Sequence, residues 1–232
     1  MSYSNSLSLK DFRTEIKSIL STSRNSTYKY INLSTPAKEM IFQAAIFKTS
    51  ALIEEYLKNI IYDWIYNIKK NSLTADTLPE NLRFYFLSYK HLGAYQSFIQ
   101  NKDERKLINK FKENSVNNLF YDDQILSNEI NARDIIQANK YPSVKNIKKL
   151  FQRLGVKNVF DLVSAKTKKQ FPQSLQSFLD VREAIAHQNP PQLTYNDVKN
   201  NIETVDKFVS ALDRIFFSII IKNQGEKCWR RN

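Results

Sequence analysis

Apolar side chains recur every three or four residues along most of this sequence, the spacing that places them on one face of an α-helix. Polar stretches and prolines separate the periodic segments. The predicted helices cover residues 8–20, 35–70, 84–99, 103–118, 143–154, 173–187 and 197–220. With only 3 Gly and 6 Pro in 232 residues, the chain is poor in the turn residues that a many-stranded architecture needs. The fold class is therefore predicted to be all-α.

Residues with capping roles mark several of the helix starts. Thr35-Pro36 predicts a start in which Thr is the N-cap and Pro takes the first helical position. Ser143 is expected to cap the helix that follows it. The segment from Thr194 to Asp197 resembles a capping box, with Asp in place of the usual Glu or Gln.

The chain is strongly basic, with 35 Lys and Arg against 23 Asp and Glu and a formal net charge of +12. This charge favours polyanionic partners, which are RNA, DNA or an acidic protein of the antitoxin type. A basic surface that only maintains solubility is the alternative. A basic cluster over residues 145–169 includes Lys145, Lys148, Lys149 and Arg153. These four residues are predicted to bind an RNA backbone if they border the site, and otherwise to form a solvated face.

Several kinds of chemistry lack the residues that they need. Cys228 is the single cysteine, which excludes an internal disulfide and a cysteine-based zinc site. We expect no metal and no cofactor, because the sequence contains no Walker-type loop, no Gly-x-Ser-x-Gly and no His-Glu-x-x-His. The longest apolar run, residues 215–221, is far too short to span a bilayer. A cytoplasmic protein without a membrane partner is therefore expected.

Residues 179–187 carry the most specific chemistry in the chain. They place Arg182 and His187 in an Arg-x-x-x-x-His arrangement, inside an apolar helical pattern that stops at Pro190-Pro191. An imidazole transfers protons near neutral pH, and a guanidinium binds phosphate oxygens. Together they are the minimal set of groups for cleaving a phosphodiester without a metal ion.

The geometry of this pair depends on where the helix ends. On a straight helix, residues five positions apart point about 140° away from each other. If the helix ends near Ala186, His187 can turn toward Arg182. Alternatively, each residue completes a site with its copy on a second subunit. In a purely structural interpretation, Arg182 is a surface cation and His187 is a polar cap at a helix C-terminus.

Residues 179–187 resemble the signature of HEPN domains (higher eukaryote and prokaryote nucleotide-binding), and they are most similar to the RiboL-PSP-HEPN branch. The resemblance extends to residues 50–56, 147–156, 193–194 and 197–220, and it covers a little over half of the chain. It implies an all-α, HEPN-like helical bundle that forms a homodimer.

The resemblance leaves one long segment unexplained. Residues 72–139 match no pattern of the family, and we expect them to form a helical insert within a single domain over 1–232. A lid, a specificity insert and a dimer arm are the alternatives for its role.

The resemblance also implies an activity. Many members are metal-independent endoribonucleases in which two Arg-x4-His motifs face a shared cleft, and Arg182 and His187 would then be the catalytic pair. The 2′-OH of the RNA is the nucleophile, and the products carry 2′,3′-cyclic phosphate and 5′-OH ends. Such proteins act as toxins or in phage defence, so an antitoxin or another defence-system protein is an expected partner.

Two acidic positions affect this interpretation. Asn, Asp or His often follows the motif Arg in the family, whereas this chain has Glu183. Its carboxylate could orient Arg182 or His187, or it could repel phosphate, and repulsion favours a catalytically inactive HEPN-like module that binds RNA or a partner. Glu55 could reach the cleft to hold Arg182; the alternative is a solvated pair with Glu54. A structural or DNA-binding helical protein is the remaining alternative.

Overall fold

The computed structural model describes residues 2–113, 115–126, 130–137, 142–168, 170–187 and 191–229. Within these ranges it contains nine α-helices and, beyond one isolated bridge between Thr74 and Ile125, no β-structure. The helices are α1 (Leu7–Asn25), α2 (Thr35–Lys70), α3 (Glu80–Asn101), α4 (Glu104–Lys112), α5 (Ala132–Gln137), α6 (Val144–Arg153), α7 (Val159–Thr167), α8 (Phe171–Ala186) and α9 (Tyr195–Gln224). The prediction of an all-α fold is confirmed.

The long helices α1, α2 and α9 form the centre of the bundle. Trp64 of α2 packs edge-on against Phe216 of α9, with 5.5 Å between ring centroids. Phe12 of α1 lies 6.2 Å from the ring of Tyr56 in α2. Burying side chains of this size stabilises the fold by about 1.5–3 kcal/mol each. In the described ranges, no helix combines the length and the apolar character needed to cross a membrane.

The helix that carries the motif packs against α2 and α9. The buried residues of α8 are Phe171, Leu175, Phe178 and Leu179. The ring of Phe171 stacks on Phe208 of α9 at 5.8 Å, and Phe160 of α7 stacks on Phe208 as well, at 5.9 Å. This packing holds the N-terminal half of α8 against α7 and α9, and the C-terminal half lies beside α2.

Helices α3, α4 and α5 lie in residues 72–139, the segment expected to be a helical insert. The hydroxyl of Tyr85 in α3 donates to the backbone oxygen of Asp134 in α5 at 2.8 Å. His91 is buried, stacks on Phe111 at 3.9 Å and hydrogen-bonds with the Asn117 amide oxygen at 2.8 Å. The described part of this segment is therefore helical and packed, while its role as an insert in a single domain stays a prediction.

The caps mostly follow the local sequence signals. Ser143 caps α6, accepting a backbone hydrogen bond at 3.1 Å, and Thr194 and Asp197 form both hydrogen bonds of a capping box at the start of α9. The prediction for α2 is wrong by one residue, because Ser34 is the N-cap and Thr35 is already helical. Ser34 takes this role because its backbone has the extended conformation that an N-cap needs, with φ −63° and ψ 155°.

Asp213 connects the N-terminal segment to the core. Its carboxylate is fully buried in α9 and accepts hydrogen bonds from the hydroxyls of Tyr3 at 2.6 Å and Tyr56 at 3.1 Å. It also accepts from the backbone N–H of Ser6 at 3.2 Å and from the Ser6 hydroxyl. Burial raises the pKa of Asp213, and the hydrogen bonds from Ser6, Tyr3 and Tyr56 oppose that rise.

Candidate active site

The helix that carries Arg182 ends immediately before His187. α8 ends at Ala186, and His187 is the first residue beyond it, with an extended backbone at φ −97° and ψ 171°. The N–H of His187 donates to the carbonyl oxygen of Ala184 at 3.2 Å. The prolines at positions 190 and 191 explain the stop, because proline cannot continue a helix. The helix predicted to run to His187 thus ends one residue earlier, which meets the condition under which His187 can turn away from the helical path. Residues 188–190 lie outside the described ranges.

Arg182 lies on the inward side of α8. It follows Phe171 by eleven residues, which places it about 20° around the helix axis from that buried ring. The side chain is half-buried, and its guanidinium carbon lies 5.4 Å from the ring centroid of Phe47 in α2. A cation over an aromatic face gains about 0.5–1 kcal/mol at a partly exposed site. Arg182 is therefore held against α2 and is not a fully exposed surface cation.

His187 is, by contrast, open to solvent, with 75% of its side chain exposed. Its Nε2 lies 3.9 Å from the Glu183 carboxylate, one helical turn back, and 65% of that side chain is exposed. The two side chains form an ion pair only when the imidazole is protonated. Exposed pairs of this kind contribute little to stability, so the accessibility of the imidazole is the property that matters here.

The structure does not join Arg182 directly to His187. Within the described residues they share no hydrogen bond, since Arg182 is directed to Phe47 and His187 lies next to Glu183. A substrate phosphate between them, or a second copy of the chain, would have to complete the site. Both arrangements stay predictions.

Glu55 lies on the exposed surface of α2 and makes no ion pair among the described residues. It follows Phe47 by eight residues, which turns it about 80° away from the face that contacts Arg182. Glu54 is about 20° from that face, but its carboxylate pairs with Lys58 at 2.6 Å. A supporting role of Glu55 toward Arg182 therefore has no contact to carry it and stays a prediction.

The predicted RNA-binding cations of α6 divide into two groups. Lys145, Lys148 and Lys149 are exposed on the side opposite its buried residues. Arg153 is half-buried, donates to the backbone oxygen of Ile135 at 3.1 Å and lies 4.0 Å from the Tyr85 ring centroid. Arg153 therefore connects α6 to α5 and α3, whereas the three lysines remain accessible to a polyanion.

Phe47 is the site residue for which the sequence offered no signal. It is one of several apolar residues at helical spacing in α2, and 135 positions separate it from Arg182. Only the packing of α8 on α2 brings the two side chains together.

The comparison with protein families agrees with this architecture. The chain matches the family model RiboL-PSP-HEPN over residues 9–217, a range that includes both Arg182 and His187. No curated protein and no solved structure matches the chain. Because the match covers far more than half of its length, the chain belongs to the RiboL-PSP-HEPN family, a group of HEPN domains that are generally associated with RNA and nuclease activity.

Proposed function

We propose that this member of the RiboL-PSP-HEPN family is a metal-independent endoribonuclease with Arg182 and His187 as its catalytic pair. One observation carries the proposal: α8 ends just before His187, which leaves the imidazole 75% exposed one turn beyond an arginine held against Phe47. Cleavage through the 2′-OH requires an accessible proton-transfer group and a positioned cation, and the C-terminal end of α8 supplies one of each.

The chemistry follows from these two groups. An imidazole accepts the proton of the RNA 2′-OH while its oxygen attacks the adjacent phosphorus atom. The bond from phosphorus to the 5′-oxygen breaks, and that oxygen takes a proton from an imidazolium. The guanidinium of Arg182 stabilises the charge that develops on the phosphate oxygens. The products are a 2′,3′-cyclic phosphate and a 5′-OH, and DNA is resistant because it lacks the 2′-OH.

A homodimer would supply the two proton-transfer groups at once. Each protomer contributes one exposed imidazole, so one could act as the base and its copy as the acid. The physiological role that we infer is growth arrest or phage defence, controlled by an antitoxin or another defence-system protein in the cytoplasm. The basic charge of the chain, +12 in total, fits both an RNA substrate and an acidic regulator.

Glu183 supports a second candidate function. Its carboxylate lies 3.9 Å from the imidazole and is exposed where a phosphate would have to approach. A carboxylate repels a phosphate that approaches the imidazole, and a protonated imidazole between them would offset that repulsion. On this observation, the alternative is a catalytically inactive HEPN-like module that binds RNA or a protein partner.

The deciding experiment is cleavage of end-labelled, mixed-sequence RNA in EDTA by the wild type, Arg182→Ala and His187→Ala. Gln173→Ala is the matched control, because Gln173 is an exposed residue of the same helix, about three turns before the motif. We expect cleavage with cyclic-phosphate ends from the wild type and the control alone. Equal cleavage by all four proteins would reveal a contaminant and contradict the assignment. RNA binding without cleavage by any folded variant would favour the inactive module.

A further inference from the structure

A second basic feature lies away from Arg182 and His187. Helices α1, α7 and α9 border a cleft of about 260 Å³. The cations that line it are Arg13, Lys166, Lys207 and Arg214. The sequence separates these residues by up to 201 positions, so no local motif indicates the cleft.

One of the four cations is held rigidly. Arg13 places Nε 3.0 Å from the Asp206 carboxylate and donates from Nη2 to the Ser210 hydroxyl at 2.8 Å. Ser210 in turn donates to the backbone oxygen of Asp206 at 2.6 Å. These bonds fix the guanidinium at the wall of the cleft. An anion that binds there therefore meets a group whose conformation is already ordered, and less entropy is lost on binding.

The other cations leave the cleft with a surplus of positive charge. Among the described residues that line the cleft, Asp206 is the single carboxylate, and Arg13 already neutralises it. Lys166 and Lys207 are exposed and make no ion pair within the described part of the chain. The guanidinium of Arg214 lies 5.1 Å from the Tyr3 ring centroid, a contact that leaves its charge unbalanced. Like charges gathered in a concave surface attract anions strongly.

The cleft and the candidate active site lie on different sides of α9. That helix contacts α1, α2, α7 and α8, and between these neighbours α1 contacts α2, α2 contacts α8, and α8 contacts α7. Arg182 faces Phe47 between α8 and α2, whereas the cleft lies between α7 and α1. A ligand in the cleft therefore occupies a position separate from the one where we place the scissile phosphate.

We propose that this cleft binds the sugar–phosphate backbone of single-stranded RNA, at nucleotides away from the scissile bond. The volume is below the roughly 300–1,000 Å³ typical of small-molecule pockets, and its charge matches phosphate groups. The hydroxyls of Ser210 and Thr167 donate within their own helices, so the cations alone would hold the strand. The choice of RNA rests on the proposed function, while the binding of phosphates rests on the cleft itself.

The test measures binding of a fluorescent, single-stranded 2′-O-methyl RNA, which cannot be cleaved because it lacks a free 2′-OH. The variant Lys166→Gln/Lys207→Gln removes the two unpaired lysines without disturbing the Arg13 network. Lys106→Gln/Lys110→Gln is the matched control, since these lysines are exposed on α4 and their loss changes the charge equally. Thermal unfolding verifies that each variant is folded.

We expect the cleft variant to bind about tenfold more weakly near 0.1 M salt, with a salt-dependence slope smaller by about 1.4, as for two lost phosphate contacts on a single strand. The control should lose no more than about threefold in affinity. Equal losses in both variants would show a diffuse charge effect and overturn the proposal. The proposal would also be overturned if inorganic phosphate or a mononucleotide competed as effectively as the oligonucleotide, because the cleft would then be a site for small anions.

The same experiment separates this proposal from the proposed function. If the wild type cleaves no RNA but the cleft variant still loses affinity, the ribonuclease proposal fails and the cleft stands. If the wild type cleaves RNA while the cleft variant binds as tightly as the control, the cleft proposal fails and the ribonuclease assignment stands.

Discussion

Asp213 and His187 are titratable side chains in opposite environments. Asp213 is fully buried, and its carboxylate accepts four hydrogen bonds from Tyr3, Ser6 and Tyr56. His187 is 75% exposed, and its Nε2 lies 3.9 Å from the Glu183 carboxylate. The first side chain is surrounded by partners that the fold supplies, whereas the second has room for a partner from outside.

This difference indicates that Asp213 contributes to the stability of the fold, whereas His187 is available for chemistry. The buried Asp213 carboxylate, which accepts hydrogen bonds from all of these neighbours, holds the N-terminal segment on α9, but no substrate can reach it. An exposed imidazole contributes almost nothing to the fold, yet it can exchange protons with a bound molecule. Substitutions at the two places should therefore affect different measurements, and the following predictions test that separation.

The largest effect is expected at Arg182. Arg182→Ala should lower the rate of RNA cleavage by about a thousandfold, or about 4 kcal/mol of transition-state stabilisation. The free energy of unfolding should change much less, by about 1 kcal/mol, because the side chain is half-buried and its cation–π contact with Phe47 contributes on that scale. Arg182→Lys should restore little activity, since an ammonium cannot bind phosphate in a bidentate way. Single-turnover cleavage measures the rate and urea unfolding measures the stability. An Arg182→Ala variant that is unfolded would contradict the prediction that this side chain affects mainly the chemistry.

The next effect is expected at Asp213. Asp213→Ala removes an acceptor from three hydroxyls and one amide in the interior, and it should cost about 3 kcal/mol of stability. Asp11→Ala is the control, because Asp11 is an exposed carboxylate of α1 and should cost under about 0.5 kcal/mol. Urea unfolding compares the two. A loss below about 1 kcal/mol at Asp213 would mean that the network is not a structural anchor.

The pH dependence of the free energy of unfolding should also differ between the wild type and a variant that lacks the Asp213 carboxyl group. Burial raises the pKa of Asp213 in the folded state, so the folded protein favours the protonated carboxyl. This contribution is fully present below the unfolded-state pKa, near 4, and it is lost as the pH rises through the raised folded pKa. The stability of the wild type relative to Asp213→Asn should therefore fall as the pH rises from about 4 through the raised folded-state pKa of Asp213. Unfolding curves at a series of pH values test this, and a difference that rises with pH would reverse the sign.

The smallest effect is expected at Glu183. Glu183→Gln removes one negative charge beside the imidazole and should tighten the binding of non-cleavable RNA by about two- to threefold. The cleavage rate should change by no more than about fivefold, the scale of an exposed ion pair. A rise of a hundredfold or more in cleavage would show instead that Glu183 holds the enzyme inactive.

Much of the fold could be predicted because the signals are local. Apolar spacing located the long helices, and the capping box at Thr194 and the prolines after His187 marked two boundaries correctly. The short helices α5 and α7 were missed, because six and nine residues are too few for a clear period. At α2, Ser34 and Thr35 offer the same hydroxyl chemistry, and only the backbone conformation selected Ser34.

The candidate site divides in the same way. The residue types and spacing of Arg182 and His187 follow from nine consecutive residues, and so does the resemblance to the family that the comparison then confirmed. Their catalytic roles stay predictions, because spacing along the chain does not establish a reaction.

Contacts between distant segments depended on the tertiary structure alone. Four such features join parts of the chain that share no sequence pattern. They are the contact of Arg182 with Phe47, the hydrogen bond from Arg153 to Ile135, the burial of Asp213 under the N-terminal segment, and the cleft of α1, α7 and α9. A helical period states which face of a helix is apolar, but not which helix covers it. Which helix covers that face is decided when the long helices pack together, because the side chains must then fill the core without gaps while every buried polar group finds a hydrogen-bond partner.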